Sequence, residues 1–108
     1  MHIMITGAAG FIGSALTKRF SQDHDVYGTF RRNNNISVVC REVIHDWQFP
    51  FDPAKPIKIH VLIHAAFAGT SSHMENQTIA RHVALSCLTL GVKRVVVVSS
   101  GSVYGEKE

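Results

Sequence analysis

The stretch TGAAGFIG, Thr6 to Gly13, follows directly on the apolar opening MHIMI and constrains how the chain can begin. Three glycines in eight positions leave the main chain bare where a strand hands over to a helix. The run HIMIT is short, apolar and closed by a glycine, while GFIGSALTKRF puts Phe11, Ile12, Ala15, Leu16 and Phe20 on one side of a helix. A strand, a bare turn and a helix in that order let backbone approach a diphosphate closely, with the first helical N–H groups and the helix dipole facing the negative charge. The spacing G-x-x-G-x-x-G differs by one residue from G-x-G-x-x-G, and taken alone it describes equally well a tight turn that holds no ligand.

The rest of the chain supplies the context. DVYGTF, ending at Phe30, reads as a second strand and REVIHDW as a third; HVLIHAAF is a near-continuous apolar strand, and RVVVVSS the plainest strand of all. Between the last two, NQTIARHVALSCLTL is a long helix stopped by Gly91, with Ile79, Val83, Leu85 and Leu90 as apolar positions that need neighbours. Strands apolar throughout, rather than alternating, suit a parallel sheet covered on both faces, so the fold class is α/β. All three prolines fall in QFPFDPAKPIKI, which makes that crossover a loop or a short turn.

Composition narrows the function classes. At 108 residues, 45% hydrophobic and 18% charged, the chain has the balance of one folded domain. Its net charge is +3, and Lys and Arg never run beyond a pair, so a solvated surface is expected rather than a nucleic-acid footprint. No apolar stretch reaches the roughly 20 residues of a membrane span, and the expected location is the cytoplasm. Cys40 and Cys87 lie far apart in apolar surroundings, as buried thiols do. His60 and His64 share a strand face but have no neighbouring carboxylate or thiol in sequence, so no metal site is expected. Ser71, Ser72 and His73 have the composition of a plain loop.

Together, TGAAGFIG, HAA at His64 to Ala66, GVKRVVVVSS and SVYG at Ser102 to Gly105 strongly resemble the extended short-chain dehydrogenase/reductase family, the NAD(P)-dependent sugar-nucleotide epimerases and dehydratases. The motifs occur in the family's order over essentially the whole chain, and Asn76 matches an Asn the family often has at the head of the long helix. The resemblance implies a Rossmann-type parallel sheet in the order 3-2-1-4-5, with residues 1–108 forming an NAD(P)-binding domain that stops before the sixth strand. It also implies that Gly7, Gly10, Phe11, Ile12 and Gly13 hold the pyrophosphate and that Asp46 and Trp47 flank adenine. Ala65 and Ala66 would lie against the cofactor, Ser99 beside the nicotinamide, and Ser100 at the family's catalytic Ser/Thr position.

At the end of the second strand, NAD-preferring relatives carry a carboxylate that bonds the ribose hydroxyls; here Phe30 stands there, followed by Arg31 and Arg32. Guanidinium groups pair well with phosphate, which favours NADP over NAD, the alternative being two solvated arginines. The family's chemistry also needs a Tyr-x-x-x-Lys pair. The tyrosines here are Tyr27 and Tyr104, and neither has a lysine four residues later. The expectation is therefore a cofactor-binding portion of an epimerase or reductase, inactive by itself, that meets its nucleotide-sugar substrate only as a complete protein; the alternative is a non-catalytic dinucleotide-binding module or an inactive remnant. Gly101 and Ser102 replace the Asp-Glu pair of the dehydratases, which favours epimerisation or carbonyl reduction. Self-association through an exposed fifth strand or the long helix is expected as well.

Overall fold

The computed structural model describes residues 1–31, 40–53, 57–66 and 73–98. Five strands, β1 (His2–Thr6), β2 (Asp25–Phe30), β3 (Arg41–Ile44), β4 (Val61–His64) and β5 (Arg94–Val97), form one parallel sheet in the order β3-β2-β1-β4-β5. Two helices connect them: α1 (Phe11–Phe20) between β1 and β2, and α2 (His73–Leu90) between β4 and β5. This is the Rossmann-type α/β sheet expected from the sequence.

Register sorts the strand residues onto two faces. Met4 lies beside Tyr27 and Leu62, and with Trp47, Ile59 and the α2 residues Ile79, Val83 and Leu90 it builds one core. Ile3, Ile5, Val26 and Ile63 build the other, against Leu16 and Phe20 of α1. Each fully covered Leu or Ile here contributes about 1.5–3 kcal/mol relative to an exposed one. The central strand β1 is buried on both faces, which explains why it carries no polar alternation.

The helices depart from their sequence reading in instructive ways. Phe11 is 94% exposed, Ile12 and Ala15 are exposed too, and the buried residues of α1 are Gly13 and Thr17. The seam is set by closeness rather than bulk: a Cβ on Gly13 would lie 2.0 Å from the Gly7 carbonyl oxygen, so only hydrogen fits there. Thr17 turns its hydroxyl inward to the Gly13 carbonyl at 2.7 Å. Helix α2 begins at His73, three residues before the expected Asn76, because Met74 and Glu75 favour helix and Glu75 suits a first turn, although their exposure hides them from periodicity. His73 is thus helical, not loop. Leu85 is half exposed, and Ser86 takes the buried place among Ile79, Val83 and Leu90.

Gly91 ends α2 with φ +68; its N–H reaches the Leu88 carbonyl at 3.4 Å and the Val92 N–H the Cys87 carbonyl at 3.0 Å. The proline-containing segment forms neither helix nor strand among its described residues. At the sheet edge, β5 is exposed along its length, with Val95, Val96 and Val97 at 48%, 44% and 60%.

The two glycines give a quantitative contrast. Gly91→Ala meets no atom within 4 Å and bears only the left-handed backbone cost, about 1 kcal/mol. Gly13→Ala must force α1 from β1 and is expected to cost more than about 2 kcal/mol. Urea unfolding of the two variants checks the ranking.

Candidate functional site

An open cleft of about 230 Å³ lies across the carboxyl ends of β1, β2 and β4. In an open parallel sheet this is where the strand order reverses and where connections diverge to opposite faces. Gly7 and Gly10 form one wall, Ala65 and Ala66 the floor beside it, and Arg31, Asp46 and Trp47 the far end.

The glycine turn is built tightly. Gly7 has φ +70, and a Cβ there would sit 2.8 Å from both the Ala65 carbonyl oxygen and the Ala66 Cα. Ala8 N–H donates to the Thr29 carbonyl at 3.1 Å, and Gly10 N–H to the Gly7 carbonyl at 3.0 Å. The first hydrogen bond of the helix runs from Ser14 N–H to the Gly10 carbonyl at 2.8 Å, and no side chain caps the end. The amides of Phe11, Ile12 and Gly13 therefore precede all intrahelical acceptors, at the positive end of the helix dipole. The side chains of Phe11 and Ile12 are exposed, so these residues are held at the head of α1 by their main chain. Gly10 differs from its neighbours. Its φ of −73° and ψ of 172° suit any residue, and a Cβ would meet only the Gly7 carbonyl oxygen, at an ordinary 3.4 Å. Neither strain nor internal crowding calls for glycine there.

A polar row underlies the cleft on the α2 face of the sheet. Thr6, fully buried, brings its Oγ1 to 2.8 Å from His64 Nδ1 and accepts the amides of Ala65 and Ala66 at 3.0 and 3.2 Å. Burial pushes His64 below its ordinary value, so it is neutral at pH 7. Next to Thr6 on this face, Thr29 accepts the Trp47 indole N–H at 3.0 Å. With 4% exposure, Trp47 serves as part of the cleft's base; its ring packs edge-on against His45 at 4.7 Å.

Asp46 faces both the loop and the rim. Its Oδ1 accepts the Gln48 N–H at 2.9 Å, and its Oδ2 lies 3.6 Å from Arg31 Nε. The Arg31 side chain is 71% exposed, so the ion pair is weak and leaves the guanidinium open to a ligand. Two bonds tie the loop to α2: His82 Nδ1–H donates to the Trp47 carbonyl at 2.8 Å, and Gln48 Nε2 to Glu75 Oε2 at 2.8 Å. His45 donates through Nε2 to the Phe49 carbonyl at 3.0 Å, and burial lowers its pKa.

Seven of the residues singled out in the sequence line this cleft: Gly7, Gly10, Arg31, Asp46, Trp47, Ala65 and Ala66. Phe11, Ile12 and Gly13 stand beside it at the head of α1, whereas Arg32, Ser99 and Ser100 lie outside the described residues. The structure adds Ala9, Thr29, His45 and Gln48 to the lining. Asp46 and Gln48 had a readable signal, the Asp two residues before an amide that it caps; Thr29 and His45 had none. Among the described residues, no group of three or more His, Cys, Asp or Glu is arranged to hold a metal, and no helix is long and apolar enough to cross a membrane.

Comparison with solved structures gives the same fold repeatedly. MoeE5, in complex with UDP-glucose and NAD, is 28% identical with a TM-score of 0.73, aligned over 97% of this chain and 38% of its own. The UDP-glucuronic acid 4-epimerase from Bacillus cereus, in complex with NAD, is 23% identical with a TM-score of 0.72, over 100% of this chain and 42% of its own. The oxidoreductase ylbE from Lactococcus lactis is 21% identical with a TM-score of 0.73, over 93% of this chain and 48% of its own. The last two likenesses speak for the fold alone. The chain spans less than half the length of each of these proteins. A comparison with curated protein sequences finds no match. The profile of the NAD dependent epimerase/dehydratase family matches residues 3–108, and the chain belongs to that family.

Proposed function

We propose that this chain binds a nicotinamide adenine dinucleotide in the cleft, with the pyrophosphate on the Gly7 to Gly13 turn and the adenosine end towards Asp46 and Trp47. The observation that carries this reading is Gly10: it faces the cleft at the head of α1, and nothing among the described residues requires it to be bare. A ligand pressed against backbone supplies the missing reason. The neighbouring amides of Phe11, Ile12 and Gly13 offer donors to an anion, and the bound NAD of MoeE5, on the same fold, supports the assignment.

NADP is the preferred form in this proposal. Phe30 ends β2 where a carboxylate would stand and Arg31 follows it, the guanidinium at the rim with only a weak hold on Asp46. The cofactor supplies hydride chemistry, and the substrate class is nucleotide sugars, in keeping with the UDP-glucose of MoeE5. Ser99 and Ser100 would stand near the nicotinamide, Ser100 as the catalytic serine. With neither Tyr27 nor Tyr104 followed by a lysine four residues on, the 108 residues alone bind cofactor without turnover. The proposed location is the cytoplasm, in keeping with two free cysteines, both half-buried.

Calorimetric titration with NADP⁺ and NAD⁺ tests the reading. Both are expected to bind, NADP⁺ more tightly; equal or tighter NAD⁺ binding contradicts the preference. Arg31→Ala is expected to weaken NADP⁺ about tenfold and NAD⁺ less than about twofold, as loss of one charge-assisted contact to the 2′-phosphate requires. Gly10→Ala is expected to lower affinity for both by at least about tenfold while moving unfolding stability by less than about 1 kcal/mol, because its Cβ enters the ligand's space and not the protein's. Unchanged affinity in that variant means the turn holds nothing.

The exposed valines of β5 further favour pairing with a second copy of the chain through that edge. Sedimentation across a range of concentrations should show association that Val96→Lys abolishes; a monomer at all concentrations rules the pairing out.

A further inference from the structure

We infer that His64 is a positioning residue for the dinucleotide cleft: by taking the hydroxyl hydrogen of Thr6, it leaves both lone pairs of that oxygen to the amides of Ala65 and Ala66, and its protonation therefore weakens cofactor binding. The inference rests on the dinucleotide reading of the cleft and extends it to a residue whose side chain acts from behind the wall.

The argument is an accounting of one buried oxygen. A threonine hydroxyl has one hydrogen and two lone pairs. The amides of Ala65 and Ala66 can only donate, and at 3.0 and 3.2 Å both reach the lone pairs of this oxygen, the Ala65 hydrogen being shared with the Thr6 carbonyl at 3.2 Å. The hydroxyl hydrogen is left for His64 Nδ1, 2.8 Å away, which must then accept, so the imidazole carries its proton on Nε2. A proton on Nδ1 turns this acceptor into a donor. Three donors would then converge on Thr6 Oγ1, whose own hydrogen would lose its acceptor at a site with no exposure. Either the ring or one of the amides has to give way.

The amides matter because the glycine turn packs on their backbone. The space that a Gly7 Cβ would need is already filled by the Ala65 carbonyl and the Ala66 Cα. Movement of Ala65 or Ala66 is thereby passed to Gly7, on the adjoining wall of the same cleft. From α2, Asn76 and Cys87 face the groove that His64 lines; from β5, Val95 and Val97 do. Among the described residues lining this groove there is no carboxylate and no cation, and burial holds the Cys87 thiol above its ordinary value and hence neutral. Desolvation likewise lowers the pKa of His64. Below the ordinary histidine value of 6.5 the unfolded chain binds the proton first, so this contribution to stability is complete above that pH and is lost as pH falls through the lower folded value.

The test joins two measurements on the same protein between pH 7.5 and 5.5, with circular dichroism confirming that it stays folded. Nitrogen-15 spectra of the ligand-free chain should show His64 as the Nε2–H tautomer at pH 7.5, with the Ala65 and Ala66 amide resonances moving together with its titration. Calorimetry with NAD⁺, chosen because it has no 2′-phosphate to titrate, should show affinity falling about fivefold, the loss of one neutral hydrogen bond. In His64→Asn the carboxamide oxygen can accept from Thr6 without titrating, and the decline should vanish. In His45→Gln, which removes the imidazole that itself lines the cleft, the same fractional decline should remain. An Nδ1–H tautomer at pH 7.5, alanine amides indifferent to His64, or a decline that survives His64→Asn overturns the inference. If NAD⁺ binds at no pH, the cofactor reading fails; amides that still follow His64 would then uphold the hydrogen-bond chain itself, so the two failures are told apart.

Discussion

The structure depends on how closely α1 approaches the turn that precedes it. With a hypothetical Gly13 Cβ only 2.0 Å from the Gly7 carbonyl oxygen, that approach exists only because two glycines face each other across it. The approach brings the head of α1, with the amides of Phe11, Ile12 and Gly13, down onto the turn at the end of β1, next to the cleft. Without it, the remaining strands could pair in the same order but would end in no cleft of this shape. The tight turn and the shape of the site thus share one local cause.

Buried hydrogen bonds then fix what packing alone would leave loose. Thr6 ties β1 to the end of β4, Thr29 ties β2 to Trp47, and His82 and Glu75 tie the following loop to α2. Each bond is individually modest, about 1 kcal/mol net; the one from Gln48 to Glu75 is exposed, but leaving the buried polar atoms of Thr6, Thr29 or Trp47 unpaired would cost more. Specificity at the rim is a separate matter, decided by exposed charge. Arg31 and Asp46 lie 3.6 Å apart in solvent, close enough to orient each other and too exposed to bind each other strongly. A phosphate on the ribose would compete for the same guanidinium.

The strands, the glycine turn and the Gly91 stop were legible in the sequence because each has a local signature: unbroken apolar runs, bare positions at a strand end, and a glycine just past a periodic helix; the strand order came from the family resemblance. Much of the cleft was legible too, Gly7 and Gly10 through the bare turn, Arg31 through its charge at the end of β2, and Asp46, Trp47, Ala65 and Ala66 through the family resemblance. The face of α1 was not. Apolar periodicity pointed to Phe11, Ile12 and Ala15, but the closest packing is made by the smallest residue, Gly13, which contributes nothing to a hydrophobic pattern. Helix α2 hid its first turn for a related reason, since Met74 and Glu75 are exposed and helix propensity alone leaves no periodic trace. The Thr6 and His64 pair was equally hidden: residues 58 positions apart meet only through the parallel register of β1 and β4.

The central claim, that bare main-chain amides at the head of α1 hold the pyrophosphate, is tested most directly by mapping amide resonances as NADP⁺ is added. The account predicts that the largest shifts fall on Phe11, Ile12 and Gly13, with smaller ones at Ala65 and Ala66. Saturable binding that leaves those three amides unmoved, or no binding at all, would contradict it.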